Sequence, residues 1–303
     1  MLSTVIPEIL ESDPDAVYLD ADLMSCIGTA KYAKAHPDRA IQCGIAEANM
    51  IGIAAGLAAA GFKPIAHSFG TFASRRCFDQ AFLSAGYGRN DITIIGSDPG
   101  VCAAYNGGTH MPFEDMALFR AIPTATVLDI SDTAQLDSVL RQVGARAGVK
   151  YIRVSRKNCI KLYEDGSLLP IGKAVKLREG VDVLIVASGI MTGEAMKAAD
   201  ALHAEGIEAT VLDMFTVKPL DTEALLAALQ TTGCIVTAEN HNRVGGLYSA
   251  VCDALAQARP APVEYVAVED EYGEVGPQDY LQERFGLTAQ HIVEKAKKAI
   301  ARK

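Results

Sequence analysis

The sequence predicts an α/β protein of two domains, each a mostly parallel sheet with helices on both faces. Three observations lead there. Short β-rich apolar runs alternate with helical runs from end to end, the order that parallel sheets with crossover helices require. At 303 residues the chain is about twice a typical domain. The alternation loosens once, over residues 157–173 (KNCIKLYEDGSLLPIGK), where a Glu-Asp-Gly turn and a proline break it. That places a first domain at 1–160, a linker at 161–172 and a second domain at 173–303.

In the first domain the strand candidates are 16–22 (AVYLDAD), 40–44 (AIQCG), 64–68 (PIAHS), 92–98 (ITIIGSD), 124–130 (TATVLDI) and 149–155 (VKYIRVS). Their short apolar runs suit strands buried on both faces. Between them lie helical stretches at 46–61, 74–86, 114–122 and 133–143, the last with apolar spacings of three and four. The second domain repeats the alternation. Strands are expected at 181–189, 207–215, 233–240 and 263–270, with helices at 194–206, 221–230 and 247–257 and a charged amphipathic helix at 291–303. The Gly-rich spots ASGIMTGEA and NRVGGLYSA lack dinucleotide-binding spacing and read as tight turns.

Composition excludes several classes. Half of the residues are apolar, yet no window approaches the ~18 uncharged apolar residues that a membrane span needs. The first residues have no basic region ahead of an apolar core, so no secretory signal is expected. A net charge of −9 without a basic stripe argues against nucleic acid. Seven scattered cysteines form no C-x-x-C pair and read as reduced thiols of a cytoplasmic protein. In so acidic a chain, positive charge meant for an anionic ligand must be concentrated locally.

The chemistry concentrates in the first domain. Residues 43–62 (CGIAEANMIGIAAGLAAAGF) place Glu47 at a strand-to-helix junction among small and apolar residues. A carboxylate there is costly without a partner, although a first-turn glutamate can also serve the helix dipole alone. Downstream come HSFGTFASRRCFDQ, with Phe69 and Phe72, and SDPGVCAAYNGGTHMPFEDMALFRAIP, with His110 after a Gly-rich loop.

Three motifs in order, G-I-A-E-A-N-M, S-F-x-x-F-x-x-x-R-x-F-D-Q and G-G-T-H-x-x-x-E-D followed by L-F-R-A-I-P, make the whole chain similar to the C-terminal part of transketolase: a pyrimidine-binding domain plus a C-terminal domain. The resemblance implies thiamine diphosphate as cofactor. It implies that Glu47 hydrogen-bonds a ring nitrogen of the cofactor's pyrimidine, favouring the imino tautomer that deprotonates the thiazolium carbon. A dry setting would raise the carboxyl's pKa for that role. Phe69 and Phe72 match aromatic positions that stack on the pyrimidine, and Arg75 stands where a third aromatic often follows. Arg76, Phe78, Asp79 and Gln80 fit the pattern as helix packing and ion pairing. His110 matches a histidine facing the donor sugar, in proton transfer or hydroxyl binding. Asn106 falls where an aspartate usually contacts the donor, and Asp98 where a histidine often reaches substrate, so the donor pocket is altered. Asp22 matches an aspartate near the thiazolium, or else caps the next helix. Arg156 matches the arginine that grips a sugar phosphate, and its planar fork suits sulfonate equally. Arg153 reads as a strand-surface residue and His67 as a core histidine.

The G-D-G motif through which such enzymes hold the metal and diphosphate is not in the sequence. The resemblance therefore implies a split transketolase. An N-terminal subunit would supply the diphosphate-binding domain and the ligands for Mg2+ or Ca2+. The assembly would be a two-plus-two heterotetramer with a homodimer contact between copies of this chain. The activity implied is transfer of a two-carbon ketol unit between a phosphorylated or otherwise anionic ketose and an aldose. A 2-oxo acid dehydrogenase beta subunit, a deoxyxylulose-phosphate-synthase-like enzyme and a non-catalytic binding or regulatory module are the alternatives.

Overall fold

The computed structural model describes residues 2–156 and 160–303. The residues at the start of the loosened segment, Lys157 to Cys159, lie outside it. The six expected strands of the first half form as β1 (Ala16–Asp20), β2 (Ala40–Gln42), β3 (Lys63–Phe69), β4 (Ile92–Ser97), β5 (Thr126–Asp129) and β6 (Val149–Val154). Residues from 175 onward give β7 (Val175–Arg178), β8 (Val183–Ala187), β9 (Ala209–Asp213), β10 (Thr216–Lys218), β11 (Ile235–Asn242) and β12 (Val263–Val268). β1, β4, β5 and β6 are buried along their whole length, as strands covered by helices on both faces must be.

The first sheet runs β10-β5-β6-β4-β3-β1-β2 and the second β12-β11-β8-β9-β7. Both are parallel except at one edge. β7 pairs antiparallel with β9, and β10, from the C-terminal half, pairs antiparallel with β5. The C-terminal half thus lends an edge strand to the N-terminal sheet, which run-by-run reading of the sequence does not reveal. A helix over Leu2–Ser12, outside the expected set, lays Leu2, Val5, Ile6 and Leu10 against the first sheet.

The helix expected over 74–86 is broken into short pieces: Gly70–Ser74, a tight turn at Arg75–Cys77, Phe78–Gln80 and a wide turn at Ala81–Tyr87. Ser74 Oγ donates to Gly70 O at 2.6 Å and Cys77 Sγ to Ala73 O at 3.1 Å. Such back-bonding to the preceding turn bends a helix. The break turns Arg75 and Arg76 toward the site.

Arg153 corrects its surface assignment. It is fully buried and joins the domains: Nε donates to Asp115 Oδ2 at 2.8 Å, Nη1 lies 3.2 Å from Asp129 Oδ1, and Nη2 donates to Asn240 O at 2.9 Å on β11. The physical reason is that β6 lies inside the sheet, with neighbours on both edges and layers on both faces, so alternate residues have no solvent to reach. Asn240 adds a second clasp, accepting from Val101 N at 3.0 Å and donating to Pro99 O at 2.9 Å.

Candidate active site

Four neighbouring strands of the first sheet, β6, β4, β3 and β1, end on one edge, and each delivers a candidate just at or past its carboxyl end: Arg156, Asp98, Phe69 and Asp22. Ligands of open α/β sheets gather on that edge. Glu47 comes to it from the first turn of the helix Glu47–Ala59, which leads from β2 back to β3.

Glu47 is 1 % exposed, and both of its oxygens are engaged. Ser68 Oγ on β3 donates to Oε1 at 2.9 Å, and Arg76 Nη1 donates to Oε2 at 2.8 Å. The Arg76 guanidinium also lies over the Phe72 ring, 4.0 Å from its centroid. Burial first, and then the charge of Glu47, push the nearby Cys77 thiol up to about 12, so it is an inert core group. Arg76 was expected in ion pairing, and its partner is the candidate carboxylate itself.

His110 closes the group from the glycine loop. Its ring stands edge-on to Phe72, centroids 5.0 Å apart, and to Phe69 at 6.1 Å. Phe69 and Phe72 are themselves 6.4 Å apart. Arg75 straps this loop from outside, donating to Thr109 O at 3.1 Å and pairing with Glu114 at 3.0 Å. A side chain at Gly108 would meet the backbone oxygen of Gly273 at 2.0 Å, so the second domain backs the loop by direct contact between main chains.

Asp98 and Arg156 form one unit. Both Asp98 oxygens accept from Arg156 Nε at 2.9 Å, and Oδ2 also accepts from Nη2. Arg156 keeps 22 % of its side chain exposed, and its guanidinium lies 5.1 Å from the Phe69 centroid. The arginine fork that sequence pointed to for an anion therefore already carries a carboxylate. Asn106 is exposed at the end of the turn Gly100–Asn106. Asp22 is exposed just past β1. It does not cap the next helix: Met24–Ile27 has no side-chain cap, and Asp20 accepts from Leu23 N instead.

His67 is the core histidine expected. It is fully buried, with Nδ1 2.7 Å from Asp20 Oδ2 and Nε2 3.0 Å from Ser97 Oγ. Tyr18 Oη donates to the same Asp20 oxygen at 2.6 Å. This buried chain ties the ends of β1, β3 and β4 beneath the site. Sequence reading passed over Asp20, Ser68 and Ser97, although a polar residue at the end of a buried strand run was the available signal. Among the described residues no cluster of three or more His, Cys, Asp or Glu could hold a metal ion, no disulfide is formed, and no helix is long and apolar enough to cross a membrane.

Comparison with known proteins places this geometry. Residues 1–161 match the family model of the transketolase pyrimidine-binding domain, and residues 172–292 that of the transketolase C-terminal domain. The 6-deoxy-6-sulfo-D-fructose transketolase subunit SqwH of Clostridium sp. (strain MSTE9) is 47 % identical over 98 % of this chain and 92 % of its own length. A subunit of the apulose-4-phosphate transketolase of Phocaeicola vulgatus is 32 % identical over 95 % of this chain and 93 % of its own. A solved split-gene transketolase, an inactive β4 tetramer, superposes with a TM-score of 0.91 at 37 % identity, covering 99 % of this chain and 97 % of that one. Carrying a pyrimidine-binding domain and a C-terminal domain on one chain, and similar over nearly its full length to subunits of split enzymes, the protein belongs to the transketolase family as a subunit of the split kind.

Proposed function

We propose that this chain is the C-terminal subunit of a thiamine-diphosphate-dependent transketolase that transfers a two-carbon ketol unit from an anionic ketose to an aldose. The observation that carries the reading is the buried Glu47 carboxylate, bonded by the Arg76 guanidinium that lies over Phe72, with Phe69 and His110 packed around the same ring. One carboxylate and flat apolar faces fit a protonatable aromatic heterocycle, and among the described residues no group of three or more His, Cys, Asp or Glu could hold the metal and diphosphate. Those ligands, with Mg2+ or Ca2+, fall to an N-terminal partner subunit in a cytoplasmic two-plus-two assembly. Copies of this chain meet each other within it.

Thiamine diphosphate supplies the carbon acid and electron sink through which the carbon–carbon bond is broken and remade. Glu47 shares a proton with the pyrimidine nitrogen, and Ser68 fixes the carboxyl's orientation. Phe69 and Phe72 set the plane of the ring, and Asp22 borders its thiazolium side. His110 holds or moves a proton at the donor hydroxyl. Arg156, with Asp98 beside it, binds the donor's remote anionic group, and Asn106 lines the approach. Two relatives named for a sulfonated and a phosphorylated sugar support an anionic donor. The first domain takes 1–160, the linker 161–172 and the second domain 173–303.

The test is Glu47→Gln in the complex assembled with the partner subunit. The amide fills the same space and keeps bonds to Ser68 and Arg76 within reach, so assembly is retained. It cannot share the proton, so turnover should fall by about 10²–10⁴-fold. Near-normal turnover would refute the assignment.

A further inference from the structure

Resting on the function proposed above, we infer that Arg76 is a built-in stand-in for the cofactor's ring, holding the pyrimidine subsite until thiamine diphosphate displaces it. The proposed reading assigns that ring two contacts with this chain, a hydrogen bond to Glu47 and stacking near Phe72. Arg76 makes both kinds of contact with the same residues. Its planar cation lies 4.0 Å from the Phe72 centroid, and its Nη1 donates to Glu47 Oε2 at 2.8 Å. A guanidinium is flat, delocalised and weakly hydrated, which suits it to stacking on an aromatic face.

Arg76 covers the Phe72 face and the Oε2 side of Glu47, so the two occupants compete for the space at that carboxylate. Its other oxygen is bound by Ser68 Oγ at 2.9 Å, and Ser68 is fully buried on β3. Of the two donors only Arg76 can leave: 42 % of its side chain is exposed, and a long flexible stem carries its charge into water. The stand-in also has a physical purpose. A carboxylate that is 1 % exposed is strongly destabilising without a counter-charge, and the pocket has to exist before its ligand arrives. Arg76 satisfies Glu47 in the folded chain at the cost of some cofactor affinity. Ordinary helix packing would leave the guanidinium in place when the ring binds.

The experiment measures thiamine diphosphate affinity by calorimetry, with Mg2+ present, in the assembled complex of the wild type, Arg76→Leu and Arg76→Lys. Thermal unfolding of each complex without added cofactor is recorded alongside. Removing a competing charge-assisted hydrogen bond should tighten cofactor binding in Arg76→Leu by roughly ten- to a hundredfold. The same variant should unfold at a lower temperature before cofactor is added. Arg76→Lys keeps the charge but cannot lie flat on Phe72, so it should tighten binding less, and it decides the matter if Arg76→Leu does not assemble. A merely structural arginine would lower the unfolding temperature without tightening binding. Wild-type binding with equal or weaker binding in the variants overturns this inference alone. No cofactor binding by the wild-type complex overturns the functional reading, and this inference with it.

Discussion

Arg153→Met tests how the two domains are held together, and its cost can be worked from the contacts. The guanidinium lies where both flanking carboxylates are shielded from water, with Asp115 at 2.8 Å, Asp129 at 3.2 Å and Asn240 O at 2.9 Å. After substitution Asp115 keeps the Tyr151 hydroxyl at 2.7 Å and the uncharged His241 ring 3.9 Å away, and Asp129 keeps the Ser188 hydroxyl at 2.8 Å, from the other domain. Neither donor carries charge. Removing one partner of a buried ion pair typically costs about 3–5 kcal/mol, mostly as the penalty on the charge left behind. Replacing both partners by apolar groups of similar volume is often close to neutral. Arg153→Met should therefore lose about 3–5 kcal/mol, and Arg153→Met with Asp115→Leu should recover part of that loss. Urea unfolding followed by far-ultraviolet circular dichroism suits a chain without tryptophan. A loss in Arg153→Met below about 1 kcal/mol would refute the argument, since that is the scale of an exposed pair.

Further outcomes follow from the site and the domain interface. Arg156→Ala should raise KM for an anionic donor by about one to two powers of ten with little change in kcat, whereas His110→Ala should lower kcat; steady-state kinetics with one donor separates the two. Asp98→Asn removes the carboxylate that holds the Arg156 fork and should lower KM for the same donor; an unchanged KM in both Asp98→Asn and Arg156→Ala would move the anion site elsewhere. Burial holds the Glu239 carboxyl up to about 7, against an ordinary value of about 4.3. Between those values the folded chain keeps a proton that the unfolded chain has released. Its contribution is therefore complete below the lower value and is lost as pH rises through the upper one. Glu239→Gln should gain stability relative to wild type between pH 5 and pH 8, measured as the difference in urea midpoint. A gap that widens against the variant would contradict this sign.

Much of the architecture was legible because strand and helix periodicity is local. The six strand runs of the first half and the helix carrying Glu47 form where the residues indicate, and in β1, β4, β5 and β6 short apolar runs leave little choice but burial on both faces. The helix over 74–86 misled because its apolar spacing is helical while Ser74 and Cys77 bond back onto the preceding turn, and pattern carries no trace of that competition. Glu47, Phe69, Phe72 and His110 stand out by motif order, and the structure packs the two rings with the histidine and links Glu47 to Phe72 through Arg76. Arg76 could be seen to belong to an ion pair, but not to lie on Phe72.

By itself the sequence determined the two-domain alternation, which is written in residue order and spacing, and its three ordered motifs carried the resemblance to the family. Tertiary structure alone decided which charges meet. Arg153 looked like a surface residue because a lone arginine in an apolar run normally faces water. It is buried because Asp115, Asp129 and Asn240, distant along the chain, converge on it. Asp98 and Arg156 are separated by a strand, two helices and another strand, yet parallel pairing of β4 with β6 sets their strand ends side by side and pairs the two charges. Charge pairing depends on distances of a few ångströms between elements, and sheet order fixes those distances.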